Sequence, residues 1–231
     1  MVIIGIDDAG RGPLIGNMYL AGVLLTIEQE KLIKQAGAKD SKLLSHPQRI
    51  ALAKIIKENS LNHHIASSSP EEIDTAIRTG TNLNTLEAKK CAEIINMLNT
   101  KKEKIQVIVD CPSVNTVAWR KTLLLFIEHS DNLELKCEHK ADFNYPVVSA
   151  ASILAKVARE EEVSLIKKQY ASYGDTGSGY PADPITVKFL KNHGKELANS
   201  GIFRKTWATW TALFPEDALP KNKKQKTLKD F

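Results

Sequence analysis

Aspartates close two segments that read as buried β-strands: Asp7 ends the apolar run 2–7 and Asp110 ends IQVIVD, 105–110. Both runs are short and β-branched, the pattern of a strand enclosed by its neighbours. Burying a carboxylate at such a strand end is unfavourable unless something positive compensates it. The candidates are a salt-bridge partner, a helix N-terminus or a metal ion. Neighbouring strands lie about 4.8 Å apart, so carboxylates at the ends of adjacent strands can share one ion. Asp8 adds a carboxylate on the other face of the first strand's end, and Asp142 follows in HKADFNYP, in the turn before a long helix. Uncompensated, such a cluster repels itself and its pKa values rise. Mg²⁺ or Mn²⁺, which prefer hard oxygen ligands, would relieve it. Mg²⁺ keeps several waters and completes its shell with phosphate oxygens, so the chemistry indicated is phosphoryl transfer, often with two ions about 3.5–4 Å apart. Each aspartate taken singly is also an ordinary turn former or helix cap, the role expected of Asp40 and Asp183. Spacing alone leaves open whether the strand ends meet.

Gly10-Arg11-Gly12 follows directly. A dinucleotide fingerprint fails here, because Gly10, Gly12 and Gly16 give GxGxxxG and the next segment is a strand, not a helix able to hold pyrophosphate. The glycines would instead let backbone N–H groups approach a sugar or phosphate closely, unless the segment is only a tight turn.

The elements that must position these groups are legible in outline. NMYLAGVLLTI (17–27) is a second strand, reached without an intervening helix, so residues 2–27 predict an antiparallel hairpin. A third strand is expected at 61–67, and LELKCEH (133–139) makes a fifth after 105–110. Ser69-Pro70-Glu71-Glu72 is a capping box, Asn84 with Glu87 opens a helix to about Leu98, another lies around 116–128, and Pro146 introduces a long one. Asp183-Pro184 caps a further helix. A three-strand meander followed by alternating strands and helices predicts an α/β fold, a mixed sheet with helices on both faces. The tail from Pro215, ending PKNKKQKTLKDF, is polar and Lys-rich and reads as a flexible extension.

Composition narrows the class. The chain has 231 residues, 42% hydrophobic and 26% charged, with a formal net charge of +5, which permits a polyanionic partner without requiring one. No apolar run approaches the roughly 18 residues of a membrane span, and the N-terminal residues lack the charged region of a signal peptide. Cys91, Cys111 and Cys137 form no CxxC pair, which predicts reduced thiols in a cytoplasmic setting rather than disulfides or a zinc site. His63-His64 has no third ligand in spacing, His139-Lys140 reads as a strand-end surface pair, and Met18, Met97, Trp207 and Trp210 read as core or lid packing.

GIDDAGRGPLIG (5–16) resembles the signature of type 2 ribonucleases H, the ribonuclease HII family, and the wording is closest to the archaeal branch. The likeness continues through KDSKLLS (39–45), TNLNTLEA (81–88), VIVDCPSVN (107–115), EHKADFNYPVVSAASILAKVARE (138–160), YGDTGSGYPADPITVKFL (173–190) and RKTWATW (204–210). The resemblance implies a ribonuclease-H-like five-stranded mixed sheet flanked by helices over 1–214, with a C-terminal helical part at about 184–214 and a basic tail at 215–231. It implies an endoribonuclease that uses Mg²⁺ or Mn²⁺ to cut the RNA strand of RNA–DNA hybrids, leaving 5′-phosphomonoesters. It also implies incision of duplex DNA 5′ of embedded ribonucleotides. By motif, Asp7, Asp8, Asp110 and Asp142 match the catalytic, metal-binding carboxylates. Gly10, Arg11 and Gly12 match the element that reads the ribose 2′-OH, Tyr180 matches a tyrosine packing on the next deoxynucleotide sugar, and Ser41 and Lys42 match a substrate-phosphate contact. A largely monomeric, cytoplasmic enzyme is expected. Junction resolvases and transposase cores share acidic clusters but lack the combination of GRG with GSGYP.

Asp8 departs from the family, which has glutamate there. One methylene less withdraws the carboxylate by about 1.3–1.5 Å, and metal–oxygen distances near 2.1 Å tolerate little of that. A weakened enzyme that mainly binds ribonucleotide-containing DNA is the alternative this raises. At the other end, Gln225, Leu228 and Phe231 in QKTLKDF fit a sliding-clamp-binding box that lacks its usual second aromatic.

Overall fold

The computed structural model describes residues 2–38 and 44–217. Ser41, Lys42, Gln225, Leu228 and Phe231 lie outside the described residues. The strands are β1 (Val2–Ala9), β2 (Met18–Thr26), β3 (Asn62–Ser68), β4 (Ile105–Asp110) and β5 (Leu133–Glu138), of which β1, β2 and β4 follow apolar runs, β5 alternates apolar and polar residues and β3 is mostly polar. They build one sheet in the order β3-β2-β1-β4-β5. β1 and β2 are antiparallel from Val2↔Thr26 to Ala9↔Tyr19, while β1–β4 and β4–β5 are parallel. This is the expected hairpin and the expected mixed sheet.

The chain clusters into two compact units. The first takes in Met1–Arg11, Met18–Ser67 and Glu87–Glu161. Its helices include α1 (Ile27–Gln35), α2 (His46–Asn59), the greater part of α4 (Leu83–Leu98), α5 (Thr116–Leu124), the one-turn α6 (Ala141–Asn144) and the first two thirds of α7 (Pro146–Gln169). One face of the sheet, with Ile3, Val23 and Leu25, packs on Ile33, Ile56 and the small residues Val147, Ala150, Ala151 and Leu154 of α7. Gly5 permits that approach, since a Cβ there would lie 2.4 Å from the Val147 carbonyl carbon. Gly5→Ala is therefore expected to destabilise the protein by about 1–3 kcal/mol, the usual scale of core overpacking, read as a lowered midpoint in thermal or denaturant unfolding. Gly22 plays the same part on the opposite face, where a Cβ would meet Ile94 of α4 at 2.2 Å.

The second unit comprises Gly12–Asn17, Ser68–Leu86 and Glu162–Phe231. Its helices include α3 (Pro70–Arg78), capped as expected by Ser69 accepting from the Glu72 amide, α8 (Pro184–His193) and α9 (Ala208–Leu213). Leu14, Ile15, Phe189, Phe203, Trp210 and Phe214 share its core.

Three local expectations need correction. The residues read as the end of the second strand include Ile27, which instead starts α1 behind a Thr26–Gln29 capping box. The cap of α4 is Asn82, whose side chain accepts from the Thr85 amide at 2.9 Å, and not Asn84. Met97 is 61% exposed and is not core, whereas Met18 and Trp210 are fully buried.

Candidate active site

Strand alternation and register place the carboxylates. β1 and β4 run parallel with Ile6 beside Val109, so one residue further Asp7, still within β1, and Asp110, the last residue of β4, come side by side. Successive side chains point to opposite faces, so Asp7 lies on the α7 face and Asp8 on the α4 face. Asp7 is 6% exposed, and its Oδ1 accepts from the Asp8 amide at 2.7 Å. Burial pushes its carboxyl well above the ordinary carboxylate range, the charge of Asp8 adds to this, a Ser152 hydroxyl opposes it, and Asp110 raises it further. Asp142 is also 6% exposed, in the first turn of α6. Lys140 enters that turn with φ 56°, and the Ala141 amide donates to Asp110 Oδ1 at 2.8 Å. That bond ties the turn carrying Asp142 to the end of β4.

These observations narrow what compensates Asp7. It lies inside β1, which runs two residues beyond the expected end at Asp7, and among the described residues Asp7 makes no ion pair. The cationic group nearby, Arg11, pairs with Glu87, whose side chain is 1% exposed. Burial lowers the Arg11 pKa and the Asp8 charge raises it. Glu138, which pairs with Asp110 in register, is held apart by Lys136 at 2.8 Å and the Tyr145 hydroxyl at 2.9 Å. Carboxylate oxygens are the donor type that a hard divalent cation prefers. As they stand, no three His, Cys, Asp or Glu side chains among the described residues form a group that could hold a metal ion. A cavity of about 10 Å³, lined by Asp7, Asp8, Asp110, Glu87 and Cys91 among others, adjoins the cluster.

Cys91, Cys111 and Cys137 are all free, and burial pushes each one up, Cys137 to about 12. The His139 ring lies 3.2 Å from the Cys111 carbonyl, which joins the segments leaving β4 and β5.

In the second unit the segment after Arg11 is stitched to two others. The Leu14 and Ile15 amides donate to the Gly179 carbonyl at 2.7 and 3.3 Å, Arg204 Nε donates to the Gly16 carbonyl at 3.0 Å, and Trp207 Nε1 donates to the Gly12 carbonyl at 3.0 Å. Tyr180 is 40% exposed, and the side of Gly12 faces its ring, with Cε1 3.5 Å from where a Cβ would stand. The GSGYP glycines are structural necessities. Gly177 and Gly179 have φ of 70° and 81°, and a Cβ on Gly177 would lie 2.5 Å from Thr186 Oγ1. Asp183 is a cap, as expected: it accepts from the Ser178 and Ile185 amides, which bring its carboxyl down to about 2.

Two residues of this arrangement have partners that the sequence does not reveal: Trp207, expected only to pack, donates to Gly12, and Glu87, expected only to help open α4, pairs with Arg11. The signal for Glu87 is its place in a buried helical stripe with Cys91, Ile94, Ile95 and Leu98, where an acid is out of pattern unless paired.

The profile of the family described as ribonuclease HII matches residues 4–210. The chain is 42% identical over 234 residues to a ribonuclease HII of Pyrococcus furiosus, covering all of this chain and 98% of that one. The solved ribonuclease H2 of Pyrococcus horikoshii superposes with a TM-score of 0.83 at 31% identity, covering 94% and 99% of the two chains. The ribonuclease HII of Archaeoglobus fulgidus, solved in complex with PCNA, gives 0.76 at 36% identity, covering 99% and 100%. A β1–β2 hairpin ending in paired aspartates, a parallel β4 ending in a third and this whole-chain likeness agree: the chain belongs to the ribonuclease HII family, endonucleases that hydrolyse the RNA of RNA–DNA hybrids.

Proposed function

We propose that this ribonuclease also incises duplex DNA 5′ of a single embedded ribonucleotide, with Asp7, Asp8, Asp110 and Asp142 as its metal-holding carboxylates. The observation that carries the reading is Asp7: nearly buried, pressed by two like charges and without an ion-pair partner among the described residues. Enzymes of the family depend on a divalent metal; Mg²⁺ or Mn²⁺ held here would supply the charge that activates the attacking water and steadies the leaving 3′ oxygen. The chain's own residues then choose the bond. Gly10, Arg11 and Gly12 bring backbone and guanidinium donors to the 2′-OH, the one feature that marks a ribonucleotide among deoxynucleotides. Tyr180, 40% exposed, packs on the following deoxyribose, and Ser41 and Lys42 hold a phosphate. Cleavage of a duplex carrying one ribonucleotide, assayed with and without Mg²⁺, tests the reading; intact strands at millimolar Mg²⁺ would refute it.

Tyr180 gives the sharper check. Tyr180→Ala is expected to lower cleavage at a single ribonucleotide by about 5- to 150-fold, the 1–3 kcal/mol scale of stacking. Long hybrids, which offer no deoxyribose after the cut site, should lose much less, and equal losses on both would make Tyr180 structural.

The tail completes the proposal. The three-residue spacing of Gln225, Leu228 and Phe231 would align them on one face of a 3₁₀ turn when bound, suiting a single apolar pocket. The A. fulgidus relative in complex with PCNA supports a sliding clamp as the partner. Deleting 225–231 is expected to abolish binding to the clamp of the same organism, measured by calorimetry, while leaving clamp-free cleavage within about twofold.

A further inference from the structure

The peptide unit joining Gly12 to Pro13 has a single hydrogen-bonding group. Pro13 carries no N–H, so only the Gly12 carbonyl can anchor that unit. Trp207 Nε1 donates to it at 3.0 Å. Gly12 is exposed, and a glycine loses more conformational freedom than any other residue when it is fixed. An anchor made before a ligand arrives lowers that cost. The indole is itself well seated. Asp74 of α3, 4% exposed, accepts from the Lys205 and Thr206 amides at 2.7 and 3.0 Å and from the Thr206 hydroxyl at 2.6 Å. The Arg204 guanidinium lies over the indole, 5.0 Å from its ring centre. Because Arg204 Nε holds the Gly16 carbonyl, residues 204–207 grip both ends of the segment 12–16. Between those ends, the Leu14 and Ile15 amides hold the carbonyl of Gly179, the neighbour of Tyr180.

We propose that Trp207 is a positioning residue: its indole N–H fixes the Gly12 end of the Gly-Arg-Gly segment against the Tyr180 ring before substrate arrives. This rests on the reading of that segment as the sugar reader and of Tyr180 as the ring that packs on the following deoxyribose. Two adjacent sugars that differ by one hydroxyl then meet two elements whose separation is already set, with the Tyr180 ring 3.5 Å from where a Gly12 Cβ would stand. Phenylalanine at 207 would still lie against Arg204 but would leave the Gly12 carbonyl without this donor. Trp207 acts on the substrate only through Gly12.

The test is a cycle of Trp207→Phe, Tyr180→Ala and the double variant, read as kcat/KM on a duplex with one ribonucleotide and on a long RNA–DNA hybrid. Trp207→Phe is expected to cost about fivefold more on the single ribonucleotide than on the hybrid, the scale of one hydrogen bond. In the Tyr180→Ala background there is no ring to align with, and the same change is expected to cost both substrates alike, to within about twofold. Trp207→Met, also without a donor, carries the test if Trp207→Phe does not fold. A structural Trp207 would lower both substrates together, or the unfolding midpoint alone. Either result overturns the inference, as does a junction-specific loss that persists without Tyr180. If Tyr180→Ala itself lowers both substrates equally, the reading of Tyr180 falls and this inference with it; if Tyr180→Ala acts mainly at the single ribonucleotide and Trp207→Phe does not, only the role of Trp207 fails.

Discussion

Asp7→Asn and Asp142→Asn are each expected to reduce cleavage of RNA–DNA hybrids by at least about 10³-fold, roughly 4 kcal/mol of transition-state stabilisation, with the fold intact. Asparagine keeps an oxygen to accept the Asp8 amide but removes the charge that draws a divalent cation. Stability moves the other way. The folded pKa of Asp7 is raised above its unfolded value by burial and by Asp8. Its contribution to stability is thus fully present below the ordinary carboxylate range and is lost as pH rises through the folded pKa. In the metal-free protein, Asp7→Asn should therefore be as stable as the unaltered chain or more so at neutral pH, and the two should converge under acid conditions. Single-turnover cleavage and denaturant titration at two pH values check both halves. Full activity in either variant would remove that residue from the metal site.

Restoring the family's glutamate at position 8 is expected to raise Mg²⁺-dependent turnover, by up to about 100-fold, or roughly 2.7 kcal/mol. The reasoning is one of reach. Asp8 stands on the α4 face of the strand end while Asp7 and Asp110 stand on the other, so its carboxylate must span further to share an ion with them. Glutamate extends that reach by about 1.3–1.5 Å. Paired rates with Mg²⁺ and Mn²⁺ for Asp8→Glu decide the matter. A clear drop with Mg²⁺ would mean that the site has adapted around aspartate, with Arg11 and Glu87 as the neighbours positioned to accommodate it.

What the sequence by itself determined is local or periodic. Short apolar runs specified β1, β2 and β4, because a pleated, enclosed segment selects such side chains wherever it lies. The absence of a helix between residues 9 and 18 specified the antiparallel hairpin, and Ser69 and Asp183 specified two helix starts through bonds spanning only a few residues. Strand alternation even assigned Asp7 and Asp8 to opposite faces. The start of α1 was equally local, a Thr26–Gln29 box, yet it was read as strand because Ile27 continues the apolar run of β2. Tertiary structure decided the rest. It placed Asp7 beside Asp110, 103 positions away in the sequence, by parallel register, and drew the Asp142 turn to Asp110 through the Ala141 amide. It exposed Met97 on the outer face of α4 while turning Glu87 inward to Arg11. Burial and charge pairing depend on which distant segment arrives at a given face, and no local propensity encodes that. The same four carboxylates can be surface turn formers or a metal site according to a packing that only the folded chain possesses.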